Sequence, residues 1–395
     1  MTKRALEPAY FPFFDYKGYS FSLGLETPEA VWLSGHTASR YAADHGRIVV
    51  EGDIVAQSRV AYEKIATILQ AAGLSLHDVV RTVDYVPIEG IADYARTAEL
   101  RRELFGAQPP VTSTVVVNRL LRPTALIEIE VVASPGGSAL TETAPSVDAM
   151  HRALGRWVGD VVYLGAQLPL KPGMAESVAR GDIVSQARQI YENAGRLLRA
   201  SGLGWEHVVK TVEFLPPAGL AQYRETGHIR REYLGPRFPA ATGIIMPHLT
   251  HPNALLQVDF VASRLPKEII NPGWSRYEKL TYLPAVKAGN LLFLAGQGAL
   301  NPETQVVEHV GDIVGQTRYV YANLMRVLQA AGAGPEAVVK AVEFVTPAAL
   351  PRYRETADLR REFFQPPYPA ATGIVCEALL RPEMLIEVDA WAVLS

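Results

Sequence analysis

The sequence predicts an α+β protein built from three copies of one unit, and three recurring markers carry that prediction. Gly-Asp-Ile-Val-x-Gln begins at Gly52, Gly181 and Gly311. A tyrosine followed by a Leu/Ile-Arg-Arg-Glu run recurs as Tyr94…Glu103, Tyr223…Glu232 and Tyr353…Glu362. A proline opens a β-rich tail at Pro110, Pro239 and Pro369. The three markers keep the same mutual offsets, as tandem copies of one structural unit do. The spacing divides the chain of 395 residues into units 1–136, 137–266 and 267–395.

Each unit reads in the same order. The apolar run Val31–Gly35 predicts an opening strand, with counterparts at Val161–Gly165 and Leu291–Ala295. A helix follows, N-capped by Asp53, Asp182 or Asp312, whose carboxylate can accept from the first free amides. Its stripe of Ile54, Ala61, Ile65, Ile68 and Leu69 has helical spacing, and Gly73 supplies the stop. The β-branched run Val79–Val86 predicts a strand, repeated at Val208–Leu215 and Val338–Val345. The Leu-Arg-Arg-Glu marker sits on a second helix. Because all three copies carry it, it reads as structural, with Arg–Glu pairs along each helix. Two strands close the unit, Thr112–Leu120 and Leu126–Ala133 in the first. Helices then cover one sheet face. The Gly/Ser/Pro/Thr-rich stretch Ser134–Pro145 and the stretch Leu265–Gly273 read as short linkers between packed units.

Composition narrows the function classes. With 38 Lys+Arg against 41 Asp+Glu, the chain lacks the basic footprint of a nucleic-acid or acidic-membrane binder. One cysteine, Cys376, excludes an intramolecular disulfide and a multi-cysteine metal site, and it reads as a small core residue. No run of 18 apolar residues and no signal-peptide core occurs, so a cytoplasmic location is expected.

The closing strand is the richest in chemistry. In Leu126–Ala133, Ile127, Ile129 and Val131 face one side while Glu128 and Glu130 face the other. The equivalents are Gln257/Asp259 and Glu387/Asp389. If that face lies at an interior or interface, a crowded, desolvated carboxylate acquires a raised pKa and becomes a general acid or base near neutral pH. An ordinary solvated sheet face gives the same alternation.

Ala285–Gln297, the Gln316 helix ending at Gly332, the strand Val338–Val345 and Ile386–Asp389 resemble the Rid superfamily, the YjgF-type reactive-intermediate (enamine/imine) deaminases. The resemblance covers nearly the whole chain three times over. It implies a chorismate-mutase-like fold and, since family members are trimers of single units, a single-chain pseudo-trimeric barrel with sheets inside, helices outside and clefts between units. It implies a monomer, with higher oligomers open, acting on a small molecule without cofactor or metal.

The site carry-over is uneven. The family's carboxylate-gripping arginine is absent, with Thr112, Ala241 and Ala371 in its place. Its helix asparagine is replaced by Ala98, Gly227 and Ala357, and its cysteine column holds Thr114, Gly243 and Gly373. The family's water-orienting carboxylate maps to Glu128 and Glu387, with Gln257 in the second unit. Its tyrosine maps to Tyr282, with Arg152 in the second unit and Phe21, near Tyr19, in the first. Arg152 reads either as a relocated anion anchor or as a loop charge. Thr242-Gly243 and Thr372-Gly373 read either as a hydroxyl and amide offered to a substrate oxygen or as a glycine-relieved strand bend. The resemblance thus implies a hydrolase or deaminase of an enamine/imine-type metabolite, with Glu128 and Glu387 as acid/base groups. Loss of the arginine argues against 2-aminoacrylate-type substrates. A chorismatase-like hydrolase and a non-catalytic binding or chaperone-like scaffold are the alternatives.

Overall fold

The structure is a computed structural model and describes residues 3–140, 148–171 and 177–394. Residues 141–147, which include the end of the first expected linker, lie outside the described residues.

The units repeat one sheet. In the second, the strands Gly155–Val158 and Val161–Leu164 form a hairpin beside the closing strand Gln257–Ser263. The closing strand is central, antiparallel to Val208–Leu215 on its other side, which in turn pairs parallel with Ala240–Ile245. The third unit repeats this with Ala285–Ala288, Leu291–Leu294, Ile386–Val393, Val338–Val345 and Ala370–Val375. Within each unit only the middle strand and the penultimate strand run parallel, because the second helix lies between them and carries the chain back. The long helices Ile54–Gln70, Ile183–Ala200 and Ile313–Ala330 are capped by Asp53, Asp182 and Asp312, each accepting a first-turn amide. Each helix buries its apolar stripe on its own sheet. Both expected linkers contribute strand: Ser138–Ala139 and Lys267–Ile270 extend the sheet of the unit that follows.

The units are joined by exchanged backbone. Arg119–Leu120 of the first unit adds to the third unit's sheet at Ile374 and Val375. Ala378–Leu379 of the third adds to the second's at Ile244 and Ile245. Parallel bridges Val111↔Ala153, Ala240↔Leu283 and Ser22↔Ala370 link first to second, second to third and third to first. Two apolar clusters draw on all three units, one around Trp32, Tyr163, Phe293 and Trp391, the other around Tyr85, Phe214 and Phe344. The expected barrel is corrected. Among the described residues the three large sheets, of seven, seven and eight strands, remain separate and none closes on itself, and a two-stranded ribbon pairs Arg40–Ala42 with Arg47–Val49.

The inward carboxylates are buried, so the solvated-face reading of the closing strands is corrected too. The second member of each pair meets a cation from a neighbouring unit. Lys210 Nζ lies 2.8 Å from Asp389, Lys340 Nζ 2.8 Å from Glu130, and Arg81 3.4 Å from Asp259. These pairs run second to third, third to first and first to second. Among the described residues no helix is long and apolar enough to cross a membrane.

Candidate active site

The first member of each inward pair lies at a boundary between units, and the three boundaries differ. Between the second and third units a cavity of about 810 Å³ brings together Glu387, Tyr282, Thr242 and Gly243. Glu387 faces Gly296, where an added Cβ would lie 2.1 Å from the carboxylate oxygen and 2.9 Å from the Thr242 methyl. The glycine lets the backbone pass this close to the neighbouring unit, with its amide donating to the Ala241 carbonyl at 3.2 Å. Burial first, then the adjacent Asp389, raises the Glu387 carboxyl to about 8, with Lys210 pulling the other way. Tyr282 is partly buried, its phenol pushed up by burial and set in the fields of Arg276, Glu387, Arg230 and Arg381. The Thr242 hydroxyl is committed: it accepts from Lys210 at 2.9 Å and donates to Asp389 at 3.1 Å. What Thr242 turns toward Gly296 and Glu387 is its methyl group.

Between the third and first units the same constellation recurs with a different filling. Glu128 faces Gly35 and the Thr372 methyl, and the Thr372 hydroxyl accepts from the Gly35 amide at 3.1 Å. Burial first, then Glu130, raises Glu128 to about 8, opposed by Lys64. Lys64 is fully buried, donating to the Thr37 carbonyl at 2.7 Å and Ser39 Oγ at 3.1 Å. Its ammonium sits 4.9 Å from the Phe14 ring centre and 5.5 Å from that of Phe13. Burial, then Arg40 and Arg122, lower it to about 7. The other units carry Asn193 and Asn323 at this helix position. The aromatic segment around Phe11–Phe21 is pinned here, with Ser22 Oγ donating to the Tyr368 carbonyl at 2.7 Å and Arg361 to that of Gly18 at 2.9 Å. Gly373 lies beneath Leu121 and the Tyr353 hydroxyl.

Between the first and second units the space is filled from within. Gln257 Nε2 donates to the Thr114 carbonyl at 3.2 Å, and Arg152 Nη1 to the Thr114 hydroxyl at 3.1 Å. Arg152 is half-buried and paired with Asp148 at 2.6 Å, so its charge is already taken up. Cys376 is buried in the shared cluster, its thiol pushed up by burial.

The Leu-Arg-Arg-Glu marker needs correction. Its first arginine reaches a strand carboxylate, in the pairs Arg101–Asp84, Arg230–Glu213 and Arg360–Glu343. Its glutamate pairs with the long helix, as Arg59–Glu103, Arg188–Glu232 and Arg318–Glu362. These are ties between elements rather than pairs along one helix. Arg230 and Arg360 also cross a unit boundary, donating to Thr281 and Ser20.

Sequence reasoning missed Gly35, Gly296, Lys64 and Arg230. A signal for the glycines was present: the position is Gly35, Ala166 and Gly296, following Glu128, Gln257 and Glu387. Gly296→Ala is therefore expected to cost about 1–3 kcal/mol by overpacking, read as a lower urea midpoint. Ala166→Gly should change the midpoint far less.

The two raised carboxylates also set a pH dependence. Their ordinary value is 4.5 and their folded value about 8, so the folded chain holds protons that the unfolded chain has released. Their contribution is complete below about pH 4.5 and lost as pH rises through about 8. Each then contributes a fall of about 1.4 kcal/mol per pH unit within that window. Denaturation from pH 5 to 8 should show a shallower decline for Glu128→Gln with Glu387→Gln; an unchanged decline counts against the raised values.

The comparisons with known proteins follow the repeat. The family model Endoribonuclease L-PSP matches at residues 17–134, 140–264 and 277–394. A RutC family protein of Pyrococcus horikoshii is 41% identical over 85 residues, 22% of this chain; the chain spans 65% of that relative's length. The 3-aminoacrylate deaminase RutC of Acinetobacter baylyi is 33% identical over 31% of this chain and 95% of its own. A chorismatase crystal structure is 14% identical, with a TM-score of 0.47 over 80% of this chain and 93% of that one. With the family model matching three times along most of its length, the chain belongs to the Endoribonuclease L-PSP family and is a triple-repeat member of the Rid superfamily.

Proposed function

We propose that the chain is a Rid-type deaminase that hydrolyses an enamine or imine at a single working cleft, the one between the second and third units. The observation that carries this reading is Glu387, a carboxyl held protonated near neutral pH against an open cavity of about 810 Å³. The relative named for 3-aminoacrylate deamination supports hydrolysis of a carbon–nitrogen bond.

In this reading protonated Glu387 gives its proton to the imine nitrogen, or to the enamine carbon to form an iminium. The resulting carboxylate accepts a proton from water as the oxygen bonds to the electrophilic carbon. Glu387 then returns that proton to the carbinolamine nitrogen, and as the carbon–nitrogen bond breaks and ammonia leaves, the hydroxyl proton passes to the carboxylate, which leaves a carbonyl and protonated Glu387. Tyr282 orients the substrate beside Glu387. The other two boundaries serve structure, one sealed over Glu128 by the aromatic segment and one filled by Arg152. The cyclic order of inter-unit bridges and ion pairs further supports a pseudo-threefold arrangement with the sheets facing inward.

The test is ammonia release from enamines generated in situ, followed against the spontaneous rate. Acceleration that disappears in Glu387→Gln supports the proposal. No acceleration across a panel of carboxylated and uncharged enamines by a folded protein overturns it.

A further inference from the structure

The cavity between the second and third units is strongly cationic on both walls. Arg224 and Arg231 come from the second unit; Arg276, Lys279 and Arg381 come from the third. Among the described residues none of these five forms an ion pair with a carboxylate. Arg230 is the one lining arginine that does, through Glu213 at 3.0 Å. The remaining lining carboxylate, Glu387, is held protonated near neutral pH and so offsets none of this charge. Arg276 Nε is buried and lacks a hydrogen-bond partner. Arg276 and Arg381 line the cavity together with Tyr282 and Glu387, and the Arg276 guanidinium lies over the Tyr277 ring, 5.3 Å from its centre. An uncompensated cluster of this kind in a cleft raises the local concentration of anions, and guanidiniums grip carboxylates bidentately.

The body of the cavity is aromatic. Trp274 and Tyr277 stack at 6.0 Å with planes 22° apart, and Tyr282 meets Tyr277 edge-on at 5.4 Å. The volume is that of a site for a ring-sized ligand rather than a three-carbon one.

We propose that this cavity takes a ring-sized dianion: a planar, unsaturated body against the Trp274–Tyr277–Tyr282 wall, with one acidic group at Arg276 and Arg381 and a second at Arg224 and Arg231. The proposal rests on the working cleft assigned above and names its substrate class. The anchoring charge that is missing from the penultimate strand is thereby supplied by the segment leading into the third unit, by the loop before its closing strand, and by the second unit's helix.

Titration calorimetry of the full chain tests it with four probes: isophthalate, benzoate, malonate and benzene-1,3-dicarboxamide. Isophthalate should bind about tenfold or more tighter than benzoate or malonate, and the diamide should not bind. Arg381→Gln and Arg231→Gln, checked for folding by circular dichroism, should each bring isophthalate down toward the benzoate affinity. Equal affinity for the diacid and the diamide overturns the proposal, as does wild-type affinity in the Arg231→Gln/Arg381→Gln double variant. A protein that binds isophthalate in this pattern yet releases no ammonia loses the hydrolytic function and keeps this site.

Discussion

Glu387→Gln is expected to lower kcat/KM by about 10²–10⁴-fold, the usual worth of a general acid or base. Glu128→Gln and Gln257→Ala should stay within a few-fold of the parent. Glu387 and Glu128 occupy equivalent strand positions, each faces a glycine, and each is raised to about 8. Their surroundings separate them. Glu387 opens on the large cavity, whereas Glu128 shares its boundary with buried Lys64 and the aromatic segment. Glutamine keeps the shape and hydrogen bonds of a protonated glutamate but cannot exchange the proton. The proton donor is present below its pKa, so the parent rate should be level at lower pH and fall as pH passes about 8; the residual Glu387→Gln activity should lack that limb. Steady-state rates across pH 6–9 measure both effects. Full activity in Glu387→Gln with loss in Glu128→Gln would move the chemistry to the other boundary.

Lys210→Met should cost about 3–5 kcal/mol of stability, the penalty for stranding one member of a buried ion pair. Lys210 is fully buried and donates to Asp389, to the Thr242 hydroxyl and to the Leu294 carbonyl. Its removal leaves Asp389 with Thr242 as its remaining hydrogen-bond donor, in a site where that carboxylate tied two units together. Replacing both partners, Lys210→Met with Asp389→Leu, should cost less than the single change, because no uncompensated charge remains. Urea unfolding of the three variants gives the comparison. A single variant within 1 kcal/mol of the parent would show that the pair contributes nothing net across that boundary.

The repeat, the helix caps and the strand order were legible because each rests on short-range pattern: an aspartate before an apolar stripe, a β-branched run, a proline before a tail. Glu128 and Glu387 stood out because alternation places them on one face with a second carboxylate. The charge balance of that face was not legible. Arg81, Lys210 and Lys340 lie on a different strand from the acids they meet, in a neighbouring unit, and no spacing along the chain records such a meeting. The arginines of the cavity were hidden for the same reason, since Arg224 and Arg276 come from elements about 50 residues apart. Arg152 and Thr242 were visible as residue types only. Their commitments, to Asp148 and to the Lys210–Asp389 pair, depend on side-chain placement.

Lys3 and Lys267 have matching surroundings. Lys267 Nζ donates to the Val208 carbonyl at 2.8 Å, at the start of the second unit's middle strand, and Lys3 Nζ donates to that of Val338 at 3.0 Å, at the same point of the third. Burial lowers both amines to about 8. Val338 is in register with Ala392, so residue 3 comes down beside the strand that ends the third unit, as residue 267 does beside the strand that ends the second. Lys3 thus stands to the third unit's middle strand as Lys267 stands to the second's. The boundary between the third and first units carries the same lysine-to-carbonyl anchor as the boundary between the second and third, so a Lys3→Met change should loosen the one as Lys267→Met loosens the other.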